Sequence, residues 1–335
     1  MSNPILVELT RGGLVESVHT GAVMLAKPNG EAVLSLGDVA RPVFPRSAVK
    51  ALQAVPLLET GAAEHYGFGD AEIALACASH SGTPAHADLA RAMLAKAQCG
   101  ADDLACGAHA PSHEASARAL SAAGAAPSAL HNNCSGKHSG MVCTCAHVGD
   151  PVAGYLDVRH PHQRRIAKVL HDFCGDGFVA ARFGIDGCSA PNWAVPVAHL
   201  AKAFAVYISG EGLSPERRKV TERIAKACMT RPDMVAGPER MDTTAMSALP
   251  GKVFMKTGAE GVYCGAFPEH GLGFALKIDD GNKRAAEAIV AGLIQHYYPA
   301  AGTFGALAVT RNWKGIETGE TRLAADLARA LERVR

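Results

Sequence analysis

Short apolar runs separated by turn signals occupy both ends of the chain, and a long alanine-rich stretch lies between them. This layout constrains the fold more than any single motif does. In the first 40 residues "ILVELT", "GAVMLA" and "EAVLSL" are broken by "RGG" and "KPNG", the pattern of strands joined by tight turns. From about residue 46 to 180 the texture changes to "SAVKALQAVPLLETG", "TPAHADLARAMLAKAQCG", "SHEASARALSAAG" and "HPHQRRIAKVLHDFCG". Each begins with a polar or proline start signal and ends at glycine, so helices are expected there. Strands return between 191 and 280 with "NWAVPV", "KVFMKTG", "GVYCGAF" and "LGFALKI", around two helical stretches. "NKRAAEAIVAGLIQHYY" predicts a last long helix and "ALAVTR" a short strand, and the tail "ETRLAADLARALERVR" has helical spacing. One sheet assembled from the two termini and covered by helices, an α+β arrangement, accommodates this order.

Composition narrows the function. The chain has 335 residues, 48% of them hydrophobic, with a formal net charge of +1. That is enough apolar material for a substantial core. It lacks the basic excess that attracts phosphates, so neither a nucleic acid nor a membrane surface is expected as partner. No run is long and apolar enough for a bilayer span. The start "MSNPILVELTRGG" lacks the features of a signal peptide, so a cytoplasmic protein is expected. Ten cysteines are scattered along the chain without a CxxC, which argues for free, buried thiols rather than disulfides or a zinc ribbon.

Several stretches carry the candidate chemistry. In "PRSAVKAL" Ser47 and Lys50 stand at i and i+3, on one helical face about a turn apart. A serine hydroxyl needs a base to become a nucleophile. Lysine can be that base when burial or a second cation favours its neutral form. Taken alone, the pair reads equally well as a capping serine and a solvated lysine. "MKTGAEGVYCGAF" adds Lys256-Thr257-Gly258 on an expected hairpin strand. In serine acyl-transfer enzymes an SxxK helix and a later K-T-G strand face one site. There Lys256 would supply the second cation, and Gly258 would let a substrate lie along the strand. "CASHSGTPAH" places Ser79, His80 and Ser81 after an apolar helical run. Ser79 could shuttle a proton to a leaving group, although a plain helix-terminal turn explains the stretch as well.

The remaining stretch is "LHNNCSGKHSGMVCTC", in which Cys134 and Lys137 share i, i+3 spacing and His138 follows. "FGIDGCSAPNWAVP" adds Asp186 and Cys188 in a glycine-rich loop. Thiolates and imidazole suit a soft dication such as zinc. No standard metal motif is met, and buried thiols beside a helix start fit the spacing equally well.

Together "RSAVK", "ASHSG", "HNNCSGKHSGM", "FGIDGCSAPN" and "MKTGAEGV" resemble the rhizobial-type, or class 3, L-asparaginases of the asparaginase II family. The resemblance covers residues 5 to about 300, and "HNNCSGKHSGM" is its most specific segment. It implies a fold like that of serine β-lactamases and penicillin-binding proteins: an α/β/α sandwich with a mainly antiparallel sheet built from both termini and an inserted helical region. It implies a single catalytic domain over 1–335, with a sheet region at 1–40 and 190–311 and a mainly helical region at 46–180. It further implies a cytoplasmic homodimer that hydrolyses L-asparagine to L-aspartate and ammonia. By the same resemblance Ser47 with Lys50 and Ser79 with Lys256 form two Ser-Lys tandems. Cys134, Lys137 and Cys188 would hold a zinc ion that aids substrate binding, and Arg46, His138 and Asp186 would contact the substrate. The alternatives that the motifs leave open are a β-lactamase-like glutaminase, esterase or peptidase, and a non-catalytic amino-acid- or metal-binding module.

Overall fold

The computed structural model describes residues 2–334. The chain folds into two compact units, one formed by Met1–Ala48, Val195–Ser209 and Met255–Arg335, the other by Val49–Ala194 and Gly210–Phe254.

The first unit is organised by a sheet of eight strands among the described residues. In order across the sheet these are Val309–Arg311, Glu317–Leu323, Ile5–Arg11, Leu14–Ala26, Leu272–Ile278, Val262–Phe267 and Phe254–Thr257, with Ala32–Leu36 paired to the end of Leu14–Ala26. The pairings from Val309–Arg311 through Val262–Phe267 are antiparallel. The N-terminal strands therefore sit at the centre, zipped between C-terminal ones: Val7 pairs with both His19 and Leu323, and Phe274 with both Leu25 and Gly265. The first hairpin turns at Gly12 and Gly13, both at positive φ (54° and 85°), the conformation a two-residue turn demands and glycine supplies without strain.

Helices cover both faces of this sheet. On one face Gly273 meets the helix Val197–Ser209 so closely that an added Cβ would lie 2.2 Å from the Ala201 carbonyl oxygen and the Ala205 nitrogen. Side chains alternate along a strand, so the next residue, Phe274, faces the other way. Its ring packs on Phe267 at 5.5 Å, and Phe267 packs on Tyr297 of the helix Lys283–Tyr297 at 4.7 Å. This layering is an α/β/α sandwich, and the mainly antiparallel sheet is built from both ends of the chain.

The second unit is mainly helical. Its central helix, Ser135–Val148, is buried at every position from Ser135 to Cys145. Gly136 admits the end of helix Asp70–Ala76, since a Cβ there would lie 2.2 Å from the Leu75 carbonyl oxygen. Helix starts are satisfied by side chains: His113, His160 and Ser214 accept the backbone N–H of Ser116, His162 and Arg217, the ordinary remedy for orphan N–H groups.

Several local expectations change. "SAVKALQAVPLLETG" is not one helix but a 3₁₀ turn, Arg46–Val49, followed by short helices Lys50–Gln53 and Val55–Glu59. Pro56 lacks the N–H that would bond the Leu52 carbonyl and its ring crowds that carbonyl, so the helix restarts. "NWAVPV" stays out of the main sheet: Pro191–Trp193 pairs with Phe183–Ile185, and Val195–Pro196 with Pro42–Val43. The first part of the tail is the strand Glu317–Leu323, captured by pairing with Ile5–Arg11. Only Ala325–Glu332 is helical. No helix among the described residues is long and apolar enough to cross a membrane.

The close helix-on-sheet approach at Gly273 is directly testable. Gly273→Val has nowhere to put its side chain but into helix backbone, and overpacking of that kind costs about 1–3 kcal/mol or more. Its urea-unfolding midpoint should fall clearly below the wild-type value, whereas Gly12→Asn at the exposed turn should change it little.

Candidate active site

The densest polar cluster in the helical unit is built around one buried lysine. Lys50, the first residue of its short helix, is 1% exposed. An ammonium or amine removed from water must find partners for its N–H groups. Lys50 Nζ donates to the Ala78 carbonyl oxygen at 2.5 Å, to Ser79 Oγ at 3.0 Å and to Cys134 Sγ at 3.0 Å. The Ser-Lys contact seen within this unit thus joins the lysine of "RSAVK" to the serine of "ASHSG".

The loop that carries Ser79 follows helix Asp70–Ala76 and is pinned at successive residues. Ser79 N–H bonds the Val235 carbonyl at 3.0 Å, His80 N–H the Asn133 carbonyl at 3.1 Å, and Ser81 Oγ the Ala236 carbonyl at 3.0 Å. The His80 ring is locked as well. Its Nδ1 accepts the Gly82 N–H at 3.1 Å, so its Nε2 carries the proton and donates to Ser135 Oγ at 2.9 Å. Ser79 is therefore held by backbone, not by side-chain packing alone.

The cysteine and lysine residues of "HNNCSGKHSGM" converge one turn further on. Cys134 stands at the start of helix Ser135–Val148, where its N–H bonds the Asn132 side-chain oxygen at 2.8 Å. Lys137, 3% exposed, donates from Nζ to Cys188 Sγ at 3.1 Å. Cys188 arrives on the hairpin loop between Phe183–Ile185 and Pro191–Trp193. A hydrogen bond from the Cys134 thiol, reinforced against burial by the charge of Lys137, holds the Cys188 thiol far below the usual range. The same hydrogen bond, with burial, pushes Cys134 well above it. Burial opposes charge on Lys137, but the Cys188 and Cys134 sulfurs overcome it and its pKa is raised. These directions favour a charged Lys137 beside two sulfurs that share a hydrogen bond, with the negative charge favoured on Cys188. Asp186, in the same loop, adds its negative charge in favour of the ammonium, while its Oδ1 accepts the Gly187 N–H at 2.7 Å.

His138 adjoins this cluster fully buried. Burial, then the positive charge of Lys137, drives its pKa down to about 4, so it is neutral. Its Nδ1 lies 2.5 Å from the Tyr155 hydroxyl. Its Nε2 meets no partner at full hydrogen-bond geometry among the described residues, although the ring lies near enough to Cys188 for hydrogen bonding and charge together to lower that thiol.

Among the described residues no three His, Cys, Asp or Glu side chains gather as a metal-binding set. The candidate set needs the Lys137 amine as its third donor. Cys134, Lys137 and Cys188 fit a soft dication by donor chemistry: two sulfurs share a hydrogen bond, and the Lys137 amine already contacts one of them. Metal would have to displace the proton from Lys137, as binding to such ligands requires.

The sheet unit carries the other motif residues. Arg46 and Ser47 lie in the 3₁₀ turn Arg46–Val49, which Arg46 enters at a φ of 52° and which the Ala48 N–H to Pro45 carbonyl bond closes at 3.0 Å. Lys256 is 1% exposed on the strand Phe254–Thr257, and its Nζ donates to the Thr257 carbonyl at 2.8 Å. The K-T-G strand and the serine turn are neighbours. A Cβ on Gly258 would lie 2.6 Å from the Pro45 carbonyl oxygen and 3.3 Å from Ala48 Cβ. Gly258 is glycine because the serine segment packs on it.

Two polar groups beside the cluster carry no sequence signal. Tyr155 lies in an irregular segment, and Arg240 Nη1 reaches the Ser79 carbonyl at 3.5 Å. The 17 and 161 residues that separate them from their partners exceed any local spacing rule.

The buried histidines predict acid lability. His80 and His86 are lowered, both chiefly by burial, and burial drives His138 to about 4 and His162 to about 3. The unfolded chain binds protons on these rings near pH 6.5 and the folded one does not. Their contribution to stability is complete above about 6.5 and is lost as pH falls toward 4, by about 1 kcal/mol or more per ring. The thermal midpoint should drop steeply over that window, and His162→Gln should flatten the drop.

Comparison with known proteins follows this geometry. The family model described as L-asparaginase II matches residues 7–323. No curated protein matches. Among solved structures, Mglu in its native form is 14% identical, with 83% of this chain and 64% of that one covered at a TM-score of 0.45. The chain thus spans less than two thirds of that protein's length. A beta-lactamase from Mycobacterium bovis is 13% identical over 83% of this chain and 94% of its own, at a TM-score of 0.43.

Proposed function

From the premise that the chain belongs to the L-asparaginase II family, we propose that it hydrolyses L-asparagine to L-aspartate and ammonia by acyl transfer to Ser47. The observation that carries the mechanism is the buried Lys50 amine, held by the Ala78 carbonyl, Ser79 Oγ and Cys134 Sγ.

Ser47 stands one helical turn before Lys50 in the chain. To act as base Lys50 must be the neutral amine, with two N–H groups kept on two of its three partners and the lone pair turned to Ser47, and that lone pair takes the proton as Ser47 Oγ attacks the side-chain amide carbon. The C–N bond then breaks. Lys50 passes the proton through Ser79 Oγ to the leaving nitrogen, which departs as ammonia. Water hydrolyses the aspartyl ester by the reverse relay, which restores the Ser47 hydroxyl. Lys256 is the cation that attracts the substrate carboxylate. Backbone N–H groups of the Arg46–Val49 turn serve the developing oxyanion.

Arg46, His138 and Asp186 contact the amino-acid head group. Zinc, held by Cys134, Lys137 and Cys188, would add a Lewis acid that grips that head group. The serine nucleophile makes a metal-bound hydroxide redundant. The same reading makes the enzyme a cytoplasmic homodimer.

Ammonia release from L-asparagine is the first test, with L-glutamine and a chromogenic β-lactam as controls. Wild type should turn over asparagine, and Ser47→Ala should lose at least about 10³-fold in kcat, the scale of a removed nucleophile. Full activity in Ser47→Ala, or turnover of only the β-lactam, would refute the assignment. Removal of zinc by a chelator should raise KM more than it lowers kcat, and a collapse of kcat at constant KM would contradict a head-group role.

A further inference from the structure

The hydrogen bonds around Tyr155 fix which nitrogen of His138 carries the proton. Tyr155 is 1% exposed, and its carbonyl is tied down by the Gln163 side chain at 2.9 Å. Its hydroxyl oxygen accepts the Ala105 N–H at 3.0 Å. The phenol is protonated at neutral pH and has one hydrogen to donate. Ala105 N–H is itself a donor, so it cannot take that hydrogen. The other group within reach is His138 Nδ1, at 2.5 Å.

A neutral imidazole has one donor and one acceptor nitrogen. If Nδ1 accepts from Tyr155, Nε2 carries the hydrogen. If the roles were reversed, the buried phenol hydrogen would be left unpaired, which is unfavourable away from water. The Nε2 lone pair would then also stand beside Cys188, whose sulfur already accepts from Lys137. Nε2 is the buried nitrogen that lacks a partner.

We infer that Tyr155 is a positioning residue that locks His138 in the Nε2–H tautomer, so that His138 is a hydrogen-bond donor to a carboxylate or carbonyl oxygen of the substrate and not a metal ligand. An imidazole with a hydrogen on Nε2 has no lone pair there for a metal. It offers the neighbouring Cys188 sulfur or a substrate oxygen a fixed donor instead. This deepens the proposed asparaginase reading, on which the substrate oxygen rests, while the tautomer itself does not depend on it.

Nitrogen-15 NMR of histidine-labelled protein tests the lock without substrate. His138 should show a pyrrole-type Nε2 and a pyridine-type Nδ1, and addition of zinc should leave that pattern unchanged. A pyridine-type or metal-bound Nε2 would overturn the inference. That spectrum decides even where a variant fails to fold. Tyr155→Phe removes only the hydroxyl, so the His138 signals should shift toward mixed tautomers. Its KM for L-asparagine should rise about tenfold with kcat much less affected, on the scale reported for lost supporting hydrogen bonds. An unchanged KM in a folded Tyr155→Phe would overturn the positioning role. Absence of any asparaginase activity in the wild type would sink the enzyme reading and leave the tautomer result standing.

Discussion

Everything in the helical unit's polar core depends on the burial of Lys50. A lysine that is 1% exposed loses its hydration shell and must recover those interactions from fixed groups. Three chain segments do this together: the helix that holds the lysine, the loop at Ala78 and Ser79, and the start of the helix at Cys134. That requirement explains why the Ser79 loop is pinned by backbone bonds to Val235 and Asn133. It also explains the close approach at Gly136, which brings Cys134 within reach of the end of helix Asp70–Ala76. Lost partners would leave a buried amine uncompensated, so the polar centre and the packing around it form together.

Charge compensation extends the arrangement to a second lysine. Lys137 donates to Cys188, whose thiol is lowered by the hydrogen bond from Cys134 and by the Lys137 charge. A buried charge is tolerated when it is paired and hydrogen-bonded, and here the pair is also a ready set of soft donors. His138 stays neutral beside them because burial and the Lys137 charge both disfavour its protonation. Acid would have to place charge on four buried rings, two of which, His80 and His86, already accept backbone N–H bonds through Nδ1. Proton uptake therefore breaks packing and hydrogen bonds at once.

Much of this was legible in the sequence, for identifiable reasons. The i, i+3 spacing of Ser47 and Lys50, the K-T-G strand and the split of strand signals between the two ends are local patterns, and local patterns survive into the fold. The helix break at Pro56 was also written in the chain, but the apolar run "ALQAVPLL" masked it. "TGETRL" has no alternation of apolar and polar residues to mark a strand, and it becomes one through pairing with Ile5–Arg11. Gly258 illustrates the harder case. Its need for a missing side chain arises from Pro45 and Ala48, some two hundred residues earlier. Tyr155 and Arg240 were invisible for the same reason, since each matters only through a partner remote in sequence. The partner of Lys50 was likewise undecidable from spacing, which offers Ser47, whereas the observed hydrogen bond within the helical unit runs to Ser79.

The mechanism requires that Ser47, with the buried Lys50 as its base, become covalently aspartylated. Trapping that intermediate decides it: turnover of L-asparagine is quenched in acid for peptide mapping, and a parallel reaction is run with hydroxylamine. The expected result is an aspartyl group on the peptide that contains Ser47, and aspartyl hydroxamate from the hydroxylamine reaction. An aspartyl group on Ser79 in place of Ser47, or turnover without any hydroxamate, would refute the mechanism.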